Sequence, residues 1–169
     1  MTAQDMIEAA RLVRVRELQT ALARASAENK HLRDENDMLL AHFDLALLAA
    51  GDLAALPPDG RLVIVDGWNM ILGAQKEARD RADLIAQAKA HVAENPSDFV
   101  WIVLDGHRAS STAEGRVRVT YTGGSGQHRA DRLICDFLRM ARFRGDISRI
   151  EVRTNDKDFL KEVKRLRSR

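Results

Sequence analysis

Four apolar residues, Leu62-Val63-Ile64-Val65, run without a break into Asp66-Gly67-Trp68-Asn69. A short run with no polar alternation suits a strand covered on both faces, and such strands belong to parallel sheets flanked by helices. Open α/β sheets form their ligand crevices at the C-terminal ends of such strands, so Asp66 is expected on a functional edge. The pattern recurs: Phe99-Val100-Trp101-Ile102-Val103-Leu104 leads into Asp105-Gly106, and Arg149-Ile150-Glu151-Val152-Arg153-Thr154 into Asn155-Asp156. Three strands ending at or beside an aspartate predict an acidic cluster, and acidic clusters hold divalent metals.

Between these runs the chain alternates. Ala78, Ala82, Ile85, Ala88 and Val92 are near helical spacing and predict a helix over 74–94, closed by Asn95-Pro96-Ser97. Arg116-Val117-Arg118-Val119-Thr120-Tyr121 alternates basic and apolar residues, as a half-exposed strand does. Helices are expected over 128–143 and from Asp156 onward. Alternating β and α elements predict an α/β domain over 61–169, with helices on both faces of a mostly parallel sheet of about four strands.

Residues 5–49 contain neither Gly nor Pro and read as one helix. Leu18, Ala25, Leu32, Leu39 and Ala46 are seven apart, and Val15, Leu22, Asn29, Asn36 and Phe43 form the companion row. This heptad pattern predicts a coiled coil over residues 1–50, with a homodimer seam at 15–46 or a protein partner in its place. The Asn pair at a positions suits a parallel two-stranded coil. The alternative is a long amphipathic helix packed on its own domain. Gly51 and Pro57-Pro58-Asp59-Gly60 suggest a linker over 51–60.

Asp131, in the first turn of the helix after the third strand, is expected at the same sheet edge as Asp66, Asp105 and Asp156, and Asp158 is close enough in sequence to join them. Crowded carboxylates repel one another unless a cation binds. Oxygen donors in an incomplete shell favour Mg2+ or Mn2+, which would activate water for an in-line phosphoryl displacement. No Cys/His cluster of zinc spacing is present. Each aspartate also has a plain structural reading as a helix cap or turn former.

Four motifs in order carry a resemblance: Asp66-Gly67-Trp68-Asn69, Leu104-Asp105-Gly106, Ala130-Asp131 and Thr154-Asn155-Asp156. Over residues 60–160 the chain resembles the NYN domains, a PIN-like nuclease group, and in particular their YacP-like branch. The resemblance implies a PIN-like Rossmannoid fold, three-layered α/β/α, and a metal-dependent endoribonuclease. It implies Asp66, Asp105, Asp131 and Asp156 as metal ligands, Asp158 as a further acid, and Asn69 as a group that orients a ligand or bonds the scissile phosphate. Trp68 replaces the family's tyrosine and Asn155 a serine, and Gln127-His128-Arg129 stands where an acidic residue is common.

The substrate expected is single-stranded or unpaired RNA. Arg108, Arg116, Arg118, Arg129 and Arg132 are candidates for its phosphates, and Tyr121 and Trp68 for its bases, although Trp68 is expected in the core rather than on a base. The glycine-rich stretch Thr122–Gln127 suits either a phosphate loop or a plain connector. Net charge is +2, with six Lys/Arg against eight Asp/Glu in residues 1–50, so the remainder is the basic part. That distribution is compatible with a phosphate-bearing substrate or with an ordinary solvated surface. The single Cys135 excludes an intrachain disulfide and is expected as a small core hydrophobe. The N-terminus lacks a signal-peptide pattern and no stretch spans a bilayer, so a cytoplasmic location is expected. The competing reading is a catalytically weak or inactive RNA-binding adaptor that dimerises or recruits a partner through the coil.

Overall fold

A computed structural model describes residues 3–72, 77–124 and 128–168, with side chains from residue 14 onward. Residues 1–39 and 40–169 form two separate units. The first is part of one helix, α1 (Ala3–Ala54). Its heptad residues Val15, Leu18, Leu22, Leu32 and Leu39 are all exposed.

The second unit holds β1 (Leu62–Asp66), α2 (Gly67–Leu72), α3 (Arg81–Glu94), β2 (Phe99–Leu104), β3 (Ala109–Glu114), β4 (Val117–Thr122), α4 (Arg129–Phe143), β5 (Ile150–Arg153) and α5 (Lys157–Ser168), with a 3-10 turn over Ile147–Arg149. The five strands run in the order β3-β4-β2-β1-β5. Parallel pairing sets Leu62 opposite both Phe99 and Ile150, and Val100 opposite Val117. Every residue of β1 and β2 is buried, as their unbroken apolar runs require.

Two cores cover the two faces. On one, Leu62, Ile64, Trp101 and Val103 meet Leu133, Phe137 and Leu138 of α4 and Phe159 and Val163 of α5. On the other, Val63, Val65, Val100 and Ile102 meet Met70 and Ile71 of α2 and Leu84 and Ala88 of α3. Trp101 lies edge-on to Phe137, with centroids 5.1 Å apart, and its indole N–H donates to Thr120 Oγ1 at 2.8 Å.

Three expectations change. The sheet has five strands, because Ala109–Glu114 adds an antiparallel edge strand against β4. It has no apolar period to announce it and is almost wholly exposed. The helix expected over 74–94 begins at Arg81, where Asp80 Oδ1 accepts the Asp83 N–H at 2.9 Å, and a separate short helix follows β1 directly. Residues 73–76 lie outside the described residues, as do 125–127 of the glycine-rich stretch.

The third change concerns α1. It runs to Ala54, so residues 51–54 of the expected linker are helical. Leu45, Ala46, Ala49, Ala50 and Leu53, with Leu56 after the helix, are buried in the α4/α5 core. Ala46, expected in the coil seam, is 5% exposed and faces its own domain. Asp52 in these last turns pairs with Arg118 of β4 through both Nε and Nη2, the latter at 3.0 Å. The alternative of a helix packed on its own domain therefore holds for this end.

Among the described residues no helix is long and apolar enough to cross a membrane. Cys135 is buried in α4, and burial pushes its thiol up to about 11, so it is an inert core residue.

Candidate active site

The connection after β1 enters helices on one face of the sheet, and the connection after β5 enters α5 on the other. The connections after the neighbouring strands β1 and β5 thus leave toward opposite faces, the arrangement at which open α/β sheets place their ligand sites. Asp66 ends β1 at 2% exposure. Its Oδ2 accepts Asn69 Nδ2 at 2.5 Å and Thr154 Oγ1 at 2.8 Å. Burial raises the Asp66 carboxyl above its ordinary value, the two side-chain hydrogen bonds oppose the rise, and the charge of Asp131 adds to it. Gly67 must lack a side chain here, since a Cβ would lie 2.5 Å from Leu104 Cδ2.

Asp105 follows β2. Its Oδ1 accepts the Ala130 N–H at 2.7 Å and Thr122 Oγ1 at 3.2 Å, which joins β2, β4 and the first turn of α4. Asp131 lies in that turn and pairs with His128 Nδ1 at 3.1 Å. Burial raises its carboxyl, His128 partly offsets this, and Asp156 and Asp105 push it further up. His128 itself adopts a left-handed backbone at φ 58°, a strained conformation for a residue with a side chain.

Asp66, Asp105 and Asp131 line one cavity of about 200 Å³, together with Trp68, Asn69, His128 and Ala130. Three segments far apart in sequence thus deliver carboxylates to one place. Asp156 lines the adjoining cavity with Asp131, His128 and Arg132. Its Oδ1 accepts the N–H groups of Asp158 and Phe159 at 2.8 and 3.0 Å, so it also caps α5. Asp158 borders that cavity with a side chain 88% exposed, and its 2.8 Å pair with Lys161 holds its carboxyl below the usual range.

The basic candidates divide. Arg108 and Arg132 are exposed; Arg132 borders the cavity of Asp156, and Arg108 a separate cavity that Asp105 and Trp68 also line. Tyr121 is half-buried beside Arg108. Arg116 precedes β4 at the opposite end of the sheet and donates to the Ser97 carbonyl at 3.3 Å. Arg118 is committed to Asp52, with only 12% of its side chain exposed. Arg129 is buried at 8% exposure, and its Nε has no hydrogen-bond partner. The structure therefore does not bring Arg116 or Arg118 to the acidic edge, and it places Arg129 beneath the surface.

The donor set is the oxygen chemistry that a hard divalent cation prefers, and the raised carboxyls of Asp66 and Asp131 are what a cation would relieve. Among the described residues, however, no group of three or more His, Cys, Asp or Glu side chains is arranged so that it could hold a metal ion. The pocket has the donors of a metal site without its coordination geometry.

Sequence reasoning missed the groups that fix the acids in place. Thr154, Thr122 and the Ala130 N–H each bond a site carboxylate. A threonine directly after each of β5 and within the end of β4 was the available signal.

No protein-family model, no curated protein and no solved structure matches this chain.

Proposed function

We propose that this chain is a PIN-like endoribonuclease of the NYN type, which hydrolyses single-stranded or unpaired RNA with Mg2+ or Mn2+. The observation that supports this most is the shared cavity of Asp66, Asp105 and Asp131, where the carboxyls of Asp66 and Asp131 are raised by burial and by the charge of neighbouring aspartates. Asp66, Asp105 and Asp131, with Asp156 at the rim, would hold the cation. Such a cation supplies a water of lowered pKa and neutralises charge on the phosphate.

The chain's own residues do the rest of the positioning. Asn69 and Thr154 hold Asp66, and Thr122 with the Ala130 N–H holds Asp105. Arg108 and Arg132 border the cavities on either side and suit the flanking phosphates of a strand. The exposed heptad residues of α1 suit a second copy of this chain. Asn29 and Asn36 would set the register of a parallel pair over residues 15–39, a seam shorter than 15–46 because Ala46 is taken by the core.

A labelled single-stranded RNA tests the proposal. Cleavage that requires Mn2+ or Mg2+ and stops with a chelator supports it. The second reading, an RNA-binding adaptor with a degenerate acidic site, is favoured by the lack of a metal-ready group among the described residues. Salt-sensitive RNA binding without cleavage at any divalent-ion concentration would establish that reading instead.

A further inference from the structure

The acidic cavity is not isolated. It shares His128 and Asp131 with the cavity bordered by Arg132 and Arg139. On its other side it shares Trp68 and Asp105 with a larger cavity of about 700 Å³, lined also by Gly106, Arg108, Ser110 and Tyr121. The two outer cavities differ in chemistry. The first offers guanidinium groups beside further carboxylates, whereas the second offers the rings of Trp68, Tyr121 and His107 and a single arginine.

Trp68 is built into the second cavity rather than left loose on the surface. It sits at the start of α2, 38% exposed, and its indole N–H donates to the Asp105 carbonyl at 2.8 Å. That bond satisfies the ring's one polar atom and fixes the indole beside the residue that also lines the acidic pocket. Tyr121 is fixed as well. Arg81 donates to its hydroxyl at 2.5 Å and lies 5.9 Å from its ring centroid. Gly106 packs against its ring so closely that a Cβ would lie 2.8 Å from Tyr121 Cδ1. Two immobilised aromatic rings in one open cavity, with Arg108 beside them, form a stacking platform with low ordering cost.

We propose that this cavity, bounded by Trp68 and Tyr121, is a nucleobase subsite that takes one unpaired base next to the acidic pocket of Asp66, Asp105 and Asp131. The assignment rests on the ribonuclease reading of the acidic pocket and adds to it a physical basis for single-strand preference. A base that enters between these residues must leave its stack and its pairing partner, which a duplex resists. The strand then crosses the sheet edge with one base on the Trp68 side and the following backbone toward Arg132, since Arg139 is paired with Asp136 and Glu162.

Tryptophan fluorescence reads the subsite directly. The chain has two tryptophans, and Trp101 is fully buried, so exposed-site quenching reports Trp68. The full-length protein is titrated in Ca2+, a hard cation for the same oxygen donors, with a short oligouridine RNA, with a duplex RNA, and with an abasic ribose-phosphate oligomer of the same charge. The oligouridine is expected to quench the emission, and the other two are not. Trp68→Phe should leave only the unchanging Trp101 emission, which also reports that the fold is intact. Trp68→Ala should raise the Kd for oligouridine about tenfold, the scale of one stacked base, and leave the abasic oligomer's Kd unchanged. Equal quenching by the abasic oligomer, or an unchanged oligouridine Kd in Trp68→Ala, overturns the subsite. Cleavage by the wild type without base-dependent quenching removes the subsite and leaves the nuclease standing. Base-dependent quenching without cleavage in Mn2+ keeps the subsite and removes the nuclease.

Discussion

Thr154 Oγ1 donates a hydrogen bond of 2.8 Å to Asp66 Oδ2, and both residues are buried. The contact joins the C-terminal ends of β5 and β1, 88 residues apart in sequence. Thr154 Oγ1 also accepts the Asp156 N–H at 3.1 Å, so one hydroxyl links two of the acids. Thr154→Val keeps the shape and removes this link. We expect a loss of about 1–2 kcal/mol in urea melts, the cost of an unsatisfied buried group. The Asp66 carboxyl should rise further, so the acid limb of the cleavage profile moves to higher pH. Thr154→Ser should restore both.

Asp66→Asn should make the protein more stable at neutral pH while it abolishes cleavage. The folded carboxyl is raised above its unfolded value, chiefly by burial. Its contribution to stability is therefore full below the unfolded value, about 4, and is lost as pH rises through the folded value. Asparagine has no charge to bury and can still accept from Thr154. At pH 7 the variant's Tm should exceed the wild type's by a few degrees, at about 2–4 °C per kcal/mol, and the gap should close toward pH 3. Paired thermal melts across this range check the sign.

The Asp52–Arg118 pair should anchor the end of α1. Only 15% and 12% of the two side chains are exposed, and both Nε and Nη2 of the arginine donate. Asp52→Ala should cost about 2 kcal/mol, the scale of charge-assisted bonds. Replacing both residues by apolar ones, Asp52→Leu with Arg118→Met, should recover much of the loss, because no unpaired charge is then left behind. Denaturant titration of the three proteins measures this.

Truncation should separate the two units of α1. Deleting residues 1–39 leaves the core of the second unit intact and should give a folded monomer from a dimeric parent. Deleting residues 1–55 removes Leu45, Ala49 and Leu53 from the core and should unfold the chain. Light scattering and circular dichroism read the two outcomes. A full-length protein that is already monomeric would exclude the coil as a self-association seam.

Asp158→Asn should leave cleavage within about twofold, since its exposed side chain is engaged with Lys161. Asp131→Asn should lower cleavage about a hundredfold or more, the scale of damage to a metal's immediate surroundings. Rates measured under single turnover distinguish them.

The strands β1 and β2 were legible because burial on both faces leaves no polar residue in the run. The acids at their ends were legible for the same reason, as the first polar residues after each run. Strand β3 was not, because an exposed edge strand such as Ala-Ser-Ser-Thr-Ala-Glu has no face to pattern. The end of α1 misled because leucines spaced for a coil seam and for a domain core share one period, and only tertiary contact separates them. Arg118 read as a free cation because its partner Asp52 lies 66 residues away. Thr154 and Thr122 were silent for a similar reason: a hydroxyl acquires its meaning from the distant carboxylate it meets.

The most direct test of the acidic pocket compares wild type and Asp66→Asn on a single-stranded RNA under single turnover, with Mn2+ and with chelator. The account predicts cleavage by the wild type in Mn2+ alone, and none by a variant that is folded and melts at a higher temperature. Cleavage by Asp66→Asn at the wild-type rate, or wild-type cleavage that persists in chelator, would contradict it.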